Sequence, residues 1–223
     1  MVSRYPIPAK TIRTEIRVSN SRFIVTAAPA FSVAEARDFI KGIKVEFKDA
    51  SHNVPAFLIG HGPSVTAHCS DDGEPSGTAG RPMLAVLQGS GLGDIVVVVT
   101  RYFGGTKLGT GGLVRAYGDA VKEVLAILPR AEKVPTHTVM MALPYNLYER
   151  VKNLVEAQHG RILDEDFAAD ITITAQFVTE KLPDFQDALR ELSHGQLAAE
   201  IVETNPETIM PIGTLADQKK RGD

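Results

Sequence analysis

Hydrophobic and polar positions along the chain change period several times, and each change marks an element. Ile12, Thr14, Ile16 and Val18 alternate with Arg13, Glu15 and Arg17, the period of a half-buried strand. Ser19-Asn20-Ser21 reads as a turn, and Arg22 to Ala28 as the returning strand of a hairpin. The period then lengthens. Ser32 caps a helix, Glu35 completes a capping box, and Phe31 with Ala36 forms the staple. Phe39, Ile40, Ile43 and Phe47 give that helix its buried stripe. Val54 to Ile59 and Val65 to Cys69 read as strands either side of Gly60-His61-Gly62-Pro63. Thr78 is the expected N-cap of a helix carrying Met83, Leu84, Val86 and Leu87.

Ile95 to Val99 is an unbroken β-branched run, as expected of a strand covered on both faces. It enters the glycine-rich stretch Arg101 to Gly112. From there Leu113, Val114, Tyr117, Ala120, Val121, Val124, Leu125 and Leu128 share a helical stripe. Pro129 ends that helix, and residues 130–135 are expected to form a linker. The second half repeats a β-α-β-β-α-β order. Val139, Met141 and Leu143 lie on one strand face, and Leu147, Tyr148, Val151, Leu154 and Val155 mark a helix. Ile162 to Phe167 and Ile171 to Val178 form a hairpin, Pro183 opens a second helix, and Leu197 to Val202 is the last strand. This order predicts a ferredoxin-like split βαβ domain. Residues 1–10 are read as an arm and residues 206–223 as a tail. No internal repeat is visible. The expected division is 1–133, 134–205 and tail.

Composition narrows the class. At 43% hydrophobic and 23% charged residues, the chain reads as an ordinary globular protein. Its single cysteine, Cys69, rules out an internal disulfide. No apolar run approaches membrane-spanning length and no signal-peptide core is present, so a cytoplasmic location without membrane contact is expected. The net charge of −3 conceals an asymmetry: residues 1–133 hold 16 basic and 12 acidic residues, residues 134–223 hold 8 and 15. A polyanion should prefer the first half, though the excess is too small for tight non-specific nucleic-acid binding.

The glycine-rich stretch carries the candidate chemistry. A strand running into a glycine loop and then a helix presents amide N–H groups at a helix N-terminus, a setting that favours an anion. Arg101, Gly104, Gly105, Lys107, Gly109, Gly111, Gly112 and Arg115 are the candidate anion or nucleic-acid ligands. Tight turns alone also explain the glycines, and the spacing matches neither a P-loop nor a dinucleotide fingerprint. Tyr102 and Phe103 could stack on bases or belong to the core, whereas Tyr117, on the apolar stripe, reads as core. Asp71, Asp72 and Glu74 supply either divalent-cation ligands or, the favoured alternative, an acidic turn that pairs with nearby arginines or caps a helix. With His52 and Arg81 they make the supporting cleft. No zinc motif is present, and His68 and Cys69 point to opposite faces of one strand. No metal or cofactor is expected. Ser76 lies outside a nucleophile elbow, Cys69 reads as inert, and the terminal Arg-Gly-Asp reads as a chance tripeptide.

Two blocks, Ser70-Asp71-Asp72-Gly73-Glu74-Pro75-Ser76-Gly77-Thr78-Ala79-Gly80-Arg81-Pro82-Met83 and the Arg101–Tyr117 stretch, resemble in order and spacing the signature of the YigZ/IMPACT family. Ser21-Arg22-Phe23-Ile24 and His52-Asn53 also look like family positions. The resemblance implies an α+β chain: an N-terminal ribosomal protein S5 domain 2-like domain, with a four-stranded sheet and helices on one side, and a C-terminal ferredoxin-like domain like those of elongation factor G. The family's eukaryotic member regulates translation by competing for an activator of a starvation-responsive initiation-factor kinase, a pathway bacteria lack. A non-enzymatic, translation-linked binding protein is therefore expected, with RNA or a ribosome-associated protein as partner. Two alternatives stay open. One is an enzyme or binder of a phosphorylated small molecule, since Leu108 to Leu113 loosely resembles the glycine loop of the galactokinase/homoserine-kinase group without its serine pair. The other is a purely protein-binding regulator. The oligomeric state is not legible.

Overall fold

The protein is described here from a computed structural model covering residues 4–213. The chain divides into two compact units. Of the described residues, one unit gathers those up to Lys133 together with Ile209 to Gly213, and the other is Val134–Thr208.

In the first unit β1 is Pro6–Pro8, β2 Ile12–Val18, β3 Ser21–Pro29, β4 His52–Ile59, β5 Thr66–Cys69 and β6 Ile95–Tyr102. The helices are α1 Val33–Glu46, α2 Gly80–Gly89 and α3 Gly109–Ile127. Five strands form one antiparallel sheet in the order β2-β3-β6-β4-β5. The β-branched run is at its centre, and Ile95 to Val99 are fully buried. Strand alternation sends Val97 and Val99 to one face, where Met83 and Leu87 of α2 and Ala116 to Leu125 of α3 close the main core. Val96 points the other way, into a smaller core with Ala28, Phe57 and Ala36 of α1. The expectation of four strands with helices on one side is thus corrected. Thr66–Cys69 adds a fifth strand, and the apolar stripe of α1 demands its own face of the sheet. Half of the expected capping box holds α1: Ser32 Oγ accepts from Glu35 N–H at 3.1 Å, but Glu35 Oε2 reaches past the N-cap and accepts from Phe31 N–H at 3.0 Å.

The stretch read as a linker is ordered. Residues 130–132 open β7, Arg130–Leu143, and pair antiparallel with β1, Pro6↔Glu132 to Pro8↔Arg130. Burial alternates only from Val134 onward, with Val134, Thr136 and Thr138 buried and Pro135 and His137 less so, and Pro129 and Pro135 obscured the strand before it.

In the second unit α4 is Tyr148–Ala157, β8 Arg161–Phe167, β9 Ile171–Val178 and α5 Leu182–Leu192; β10, Glu200–Gly213, starts there and passes into the first unit at Ile209. The expected β-α-β-β-α-β order holds. The sheet runs β8-β9-β7, with β10 on the other side of β7. Val139, Met141, Leu143, Ile171, Ile173 and Phe177 meet Val151 and Val155 of α4 and Phe185 and Leu189 of α5. The tail expected from residue 206 is corrected as far as Gly213: β10 continues through it. The strand was hidden because Glu200 to Glu207 are exposed on both faces, so no buried alternation marks it. Residues 214–223, with the terminal Arg-Gly-Asp, lie outside the described residues. No helix among the described residues is long and apolar enough to cross a membrane.

Candidate functional site

The site is built where β6 ends. Arg101 continues the buried face of that strand, so its side chain enters the α3 side of the sheet with only 6% exposed. A buried guanidinium needs a counter-charge. Glu74 supplies it: Arg101 Nη1 donates to Glu74 Oε1 at 2.7 Å, and Nη2 donates to Ser21 Oγ at 3.2 Å. The guanidinium carbon lies 5.4 Å from the Phe23 ring centroid and 5.5 Å from that of Phe103. The Tyr117 hydroxyl, from α3, also donates to Glu74 Oε1, at 2.8 Å. Burial, and after it the Glu74 carboxylate, pushes the Tyr117 phenol far above its ordinary range, so it stays a donor. Tyr117 is the residue whose role the sequence pattern hid. It does lie in the core, as its stripe predicts. The available signal was a Tyr where Phe would pack: a buried hydroxyl requires a partner.

The three acidic residues separate by role. Asp71 caps α2, accepting from the amides of Gly77 at 2.8 Å, Ala79 at 3.1 Å and Gly80 at 2.9 Å. Burial opposes its ionisation, but these amides and nearby Arg81 win and hold the carboxyl below its ordinary range. Thr78 is therefore not the N-cap; its hydroxyl donates to the Pro75 carbonyl instead. Asp72 accepts from Asn53 N–H at 2.7 Å and pairs with Lys44 of α1. Only Glu74 faces the glycine loop. Among the described residues no group of three His, Cys, Asp or Glu side chains is arranged to hold a metal ion. His52 stands behind Glu74: its Nδ1 bonds the Asp72 carbonyl at 2.8 Å and its Nε2 lies 3.8 Å from Glu74 Oε2.

Between the end of β6 and the start of α3 lies a cleft of about 360 Å³. Glu74, Arg101, Phe103, Lys107, Gly109 and Thr110 all contribute to its wall. The loop amides divide. Phe103 N–H donates to Ser51 Oγ at 3.0 Å and Gly104 N–H to Ser21 Oγ at 3.4 Å. Among the described residues no side chain is seen to cap α3, in contrast to the acid cap on α2. Lys107 is exposed, and Phe103 keeps 48% of its surface exposed.

The candidate glycines have unlike reasons. Gly104 is required by close approach, because a Cβ there would stand 1.9 Å from the Asn20 carbonyl oxygen. Gly105 and Gly109 have φ of +85° and +70°, with open space around them. Gly111 and Gly112 fall inside the first turn of α3, which begins at Gly109 rather than after Gly112. Two expectations are corrected. Arg115 does not border the cleft: two residues from both Leu113 and Tyr117, which point inward, it is exposed. Val114 leaves the buried stripe at 41% exposure, and Ala116 replaces it.

The description "Impact N-terminal domain" matches residues 19–125, and "Domain of unknown function (DUF1949)" matches residues 141–196. IMPACT family member YigZ of Escherichia coli is 37% identical over 86% of this chain and 94% of its own length. The chain belongs to the IMPACT family. The IMPACT family member of Haemophilus influenzae is 37% identical over 91% of this chain and 98% of its length. IMPACT family member YvyE of Bacillus subtilis is 35% identical over 82% and 83%. A crystal structure of a hypothetical protein superposes with a TM-score of 0.57 at 34% identity, covering 91% of this chain and 99% of that one. The IMPACT match spans every residue of the cleft described above.

Proposed function

We propose that this IMPACT family protein is a non-enzymatic, translation-linked binding protein that takes single-stranded RNA into the cleft between β6 and α3. The observation that carries the reading is the convergence of three binding elements on one wall: the exposed Phe103 ring, the Lys107 ammonium and the uncapped N-terminus of α3. A half-exposed aromatic ring offers a base a stacking surface, and an ammonium beside free amides suits a phosphate. The basic excess of residues 1–133 favours a polyanion there. Arg101 contributes through Phe103, which it braces, because Glu74 already neutralises its charge. The link to translation rests on family membership.

The test is RNA binding by the full chain across a salt series. Binding should weaken as salt rises, and Lys107→Ala should lower the slope by about one unit. Phe103→Ala should weaken binding at every salt, by roughly 1–3 kcal/mol per stacked base. Neither variant should lower the melting temperature appreciably, since both side chains are exposed. Absence of binding at low salt would reject the reading. A second reading is favoured by the size of the cleft, which falls in the range of small-molecule pockets: a mononucleotide occupies it alone. A nucleotide-induced thermal shift that RNA does not compete away would favour that reading.

A further inference from the structure

We infer that Glu74 is the residue with which the cleft recognises a ribose 2′-hydroxyl, so that the bound chain is RNA and not DNA. The inference rests on the proposed binding of a nucleic-acid strand in this cleft and names what the site would select.

It starts from an imbalance within one carboxylate. The Glu74 side chain is only 3% exposed, and its two oxygens are treated differently. Oε1 is engaged by Arg101 Nη1 and by the Tyr117 hydroxyl. Oε2 has no hydrogen bond among the described residues; the polar group facing it is His52 Nε2 at 3.8 Å, beyond bonding reach. The Asp72 carbonyl only accepts, so the 2.8 Å contact makes His52 Nδ1 the donor there and turns Nε2 toward Glu74 without bonding it. Oε2 is not among the buried atoms left without a partner, and Glu74 borders the cleft, so this oxygen is open to a donor that enters there. The cleft therefore offers a fixed acceptor that asks for a donor from the ligand.

A phosphate has no donor to give at neutral pH, and Lys107 with the amides of α3 already suits it. A base face goes to Phe103. On a nucleotide, the group between base and phosphate that can donate is the ribose hydroxyl, and it is the group that DNA lacks. The Arg101 and Tyr117 bonds hold the carboxylate rigid, so the acceptor is in place before the ligand arrives. That lowers the ordering cost of the contact.

The test varies the ligand before the protein. Single-stranded oligouridine 12-mers with ribose, 2′-O-methylribose and deoxyribose sugars are titrated against the full chain at one fixed low salt, read by fluorescence anisotropy. The ribose form should bind roughly tenfold tighter than both others, the loss expected for one hydrogen bond to a charged acceptor. Glu74→Gln should bring the three affinities together. Equal affinities for the three in the wild-type protein overturn the inference while leaving the cleft reading standing, provided that Lys107→Ala weakens them all. No binding of any 12-mer overturns both. A full ribose preference retained by folded Glu74→Gln overturns the role of Glu74. Should that variant fail to fold, wild-type crystals soaked with uridine 5′-monophosphate decide: a 2′-oxygen within hydrogen-bond distance of Oε2 supports the inference, and a ribose turned away from Glu74 overturns it.

Discussion

At the scale of single residues, Glu74 and Arg101 are worth more together than their separate contributions suggest. Both are almost completely buried, and each is the counter-charge of the other. Arg101→Ala would leave an unpaired carboxylate inside the domain, and a loss of about 3–5 kcal/mol in urea denaturation is expected. Tyr117→Phe removes one donor and keeps the packing against Phe23, so about 1–2 kcal/mol should be lost in the same assay. Asp71 gives a pH signature. Its native value is depressed, so its contribution is complete above the unfolded value, near ~4, and disappears as pH falls through the lower native value. Asp71→Asn keeps one acceptor oxygen but loses the other and the charge, so about 1 kcal/mol should be lost near neutrality. The urea midpoints of variant and wild type should then converge as the solution is taken well below ~pH 4. A gap that stays constant through that range would show that the ionised cap is not the source. These residue-level facts were the least legible beforehand. The sequence places Asp71, Asp72 and Glu74 side by side, and three carboxylates at such spacing look interchangeable. Only the folded loop sends one to a helix end, one to α1 and one to the cleft.

Elements explain which glycines matter. Gly104 and Gly111 look alike in a glycine-rich run, yet one lies under a backbone carbonyl and the other in open space on a helix. Gly104→Ala should lower stability by about 1–3 kcal/mol or more, because the Asn20 backbone cannot give way cheaply. Gly111→Ala should be tolerated and gain up to about 1 kcal/mol from helix propensity. Thermal melts of the two variants test the contrast, and equal destabilisation would contradict it. The strand-loop-helix succession itself was readable. Five β-branched residues before the glycines and the stripe from Leu113 after them fixed β6 and most of α3 by periodicity alone. The first turn of α3 was not, because Gly109, Gly111 and Gly112 are poor helix formers. Tertiary packing of Leu113 and Tyr117 carries the helix back over them. The edge elements failed for the opposite reason: Pro6–Pro8, residues 130–135 and the end of β10 are short or polar stretches whose strand character comes from pairing.

For the whole molecule, the charge difference between the halves makes a localisation prediction. Photo-crosslinking of bound RNA to the full chain, followed by peptide mapping, should give adducts within residues 1–133 and around Phe103, with none in the acidic 134–208 unit. Crosslinks spread evenly over both units would contradict the cleft assignment. The paired start of β7 makes another. Limited trypsin digestion should spare the bonds after Arg130 and Lys133, where an interdomain linker would be cut first.

The pairing of β1 with β7 also orders events in time. Pro6–Pro8 emerge early in synthesis, yet their partners at residues 130–132 appear only after most of the first unit has been made. That same unit takes in residues from Ile209 onward, which follow the entire Val134–Thr208 unit. At about 5–20 residues per second, the first unit waits several seconds more for its last segment. The nascent chain therefore holds an almost complete β2–α3 core while both its first and its last strands are unmatched. An early stop between Val134 and Thr208 would leave β1 its partner but deny the unit its closing segment, so a truncated product should be more exposed to proteases than its nearly whole sheet suggests.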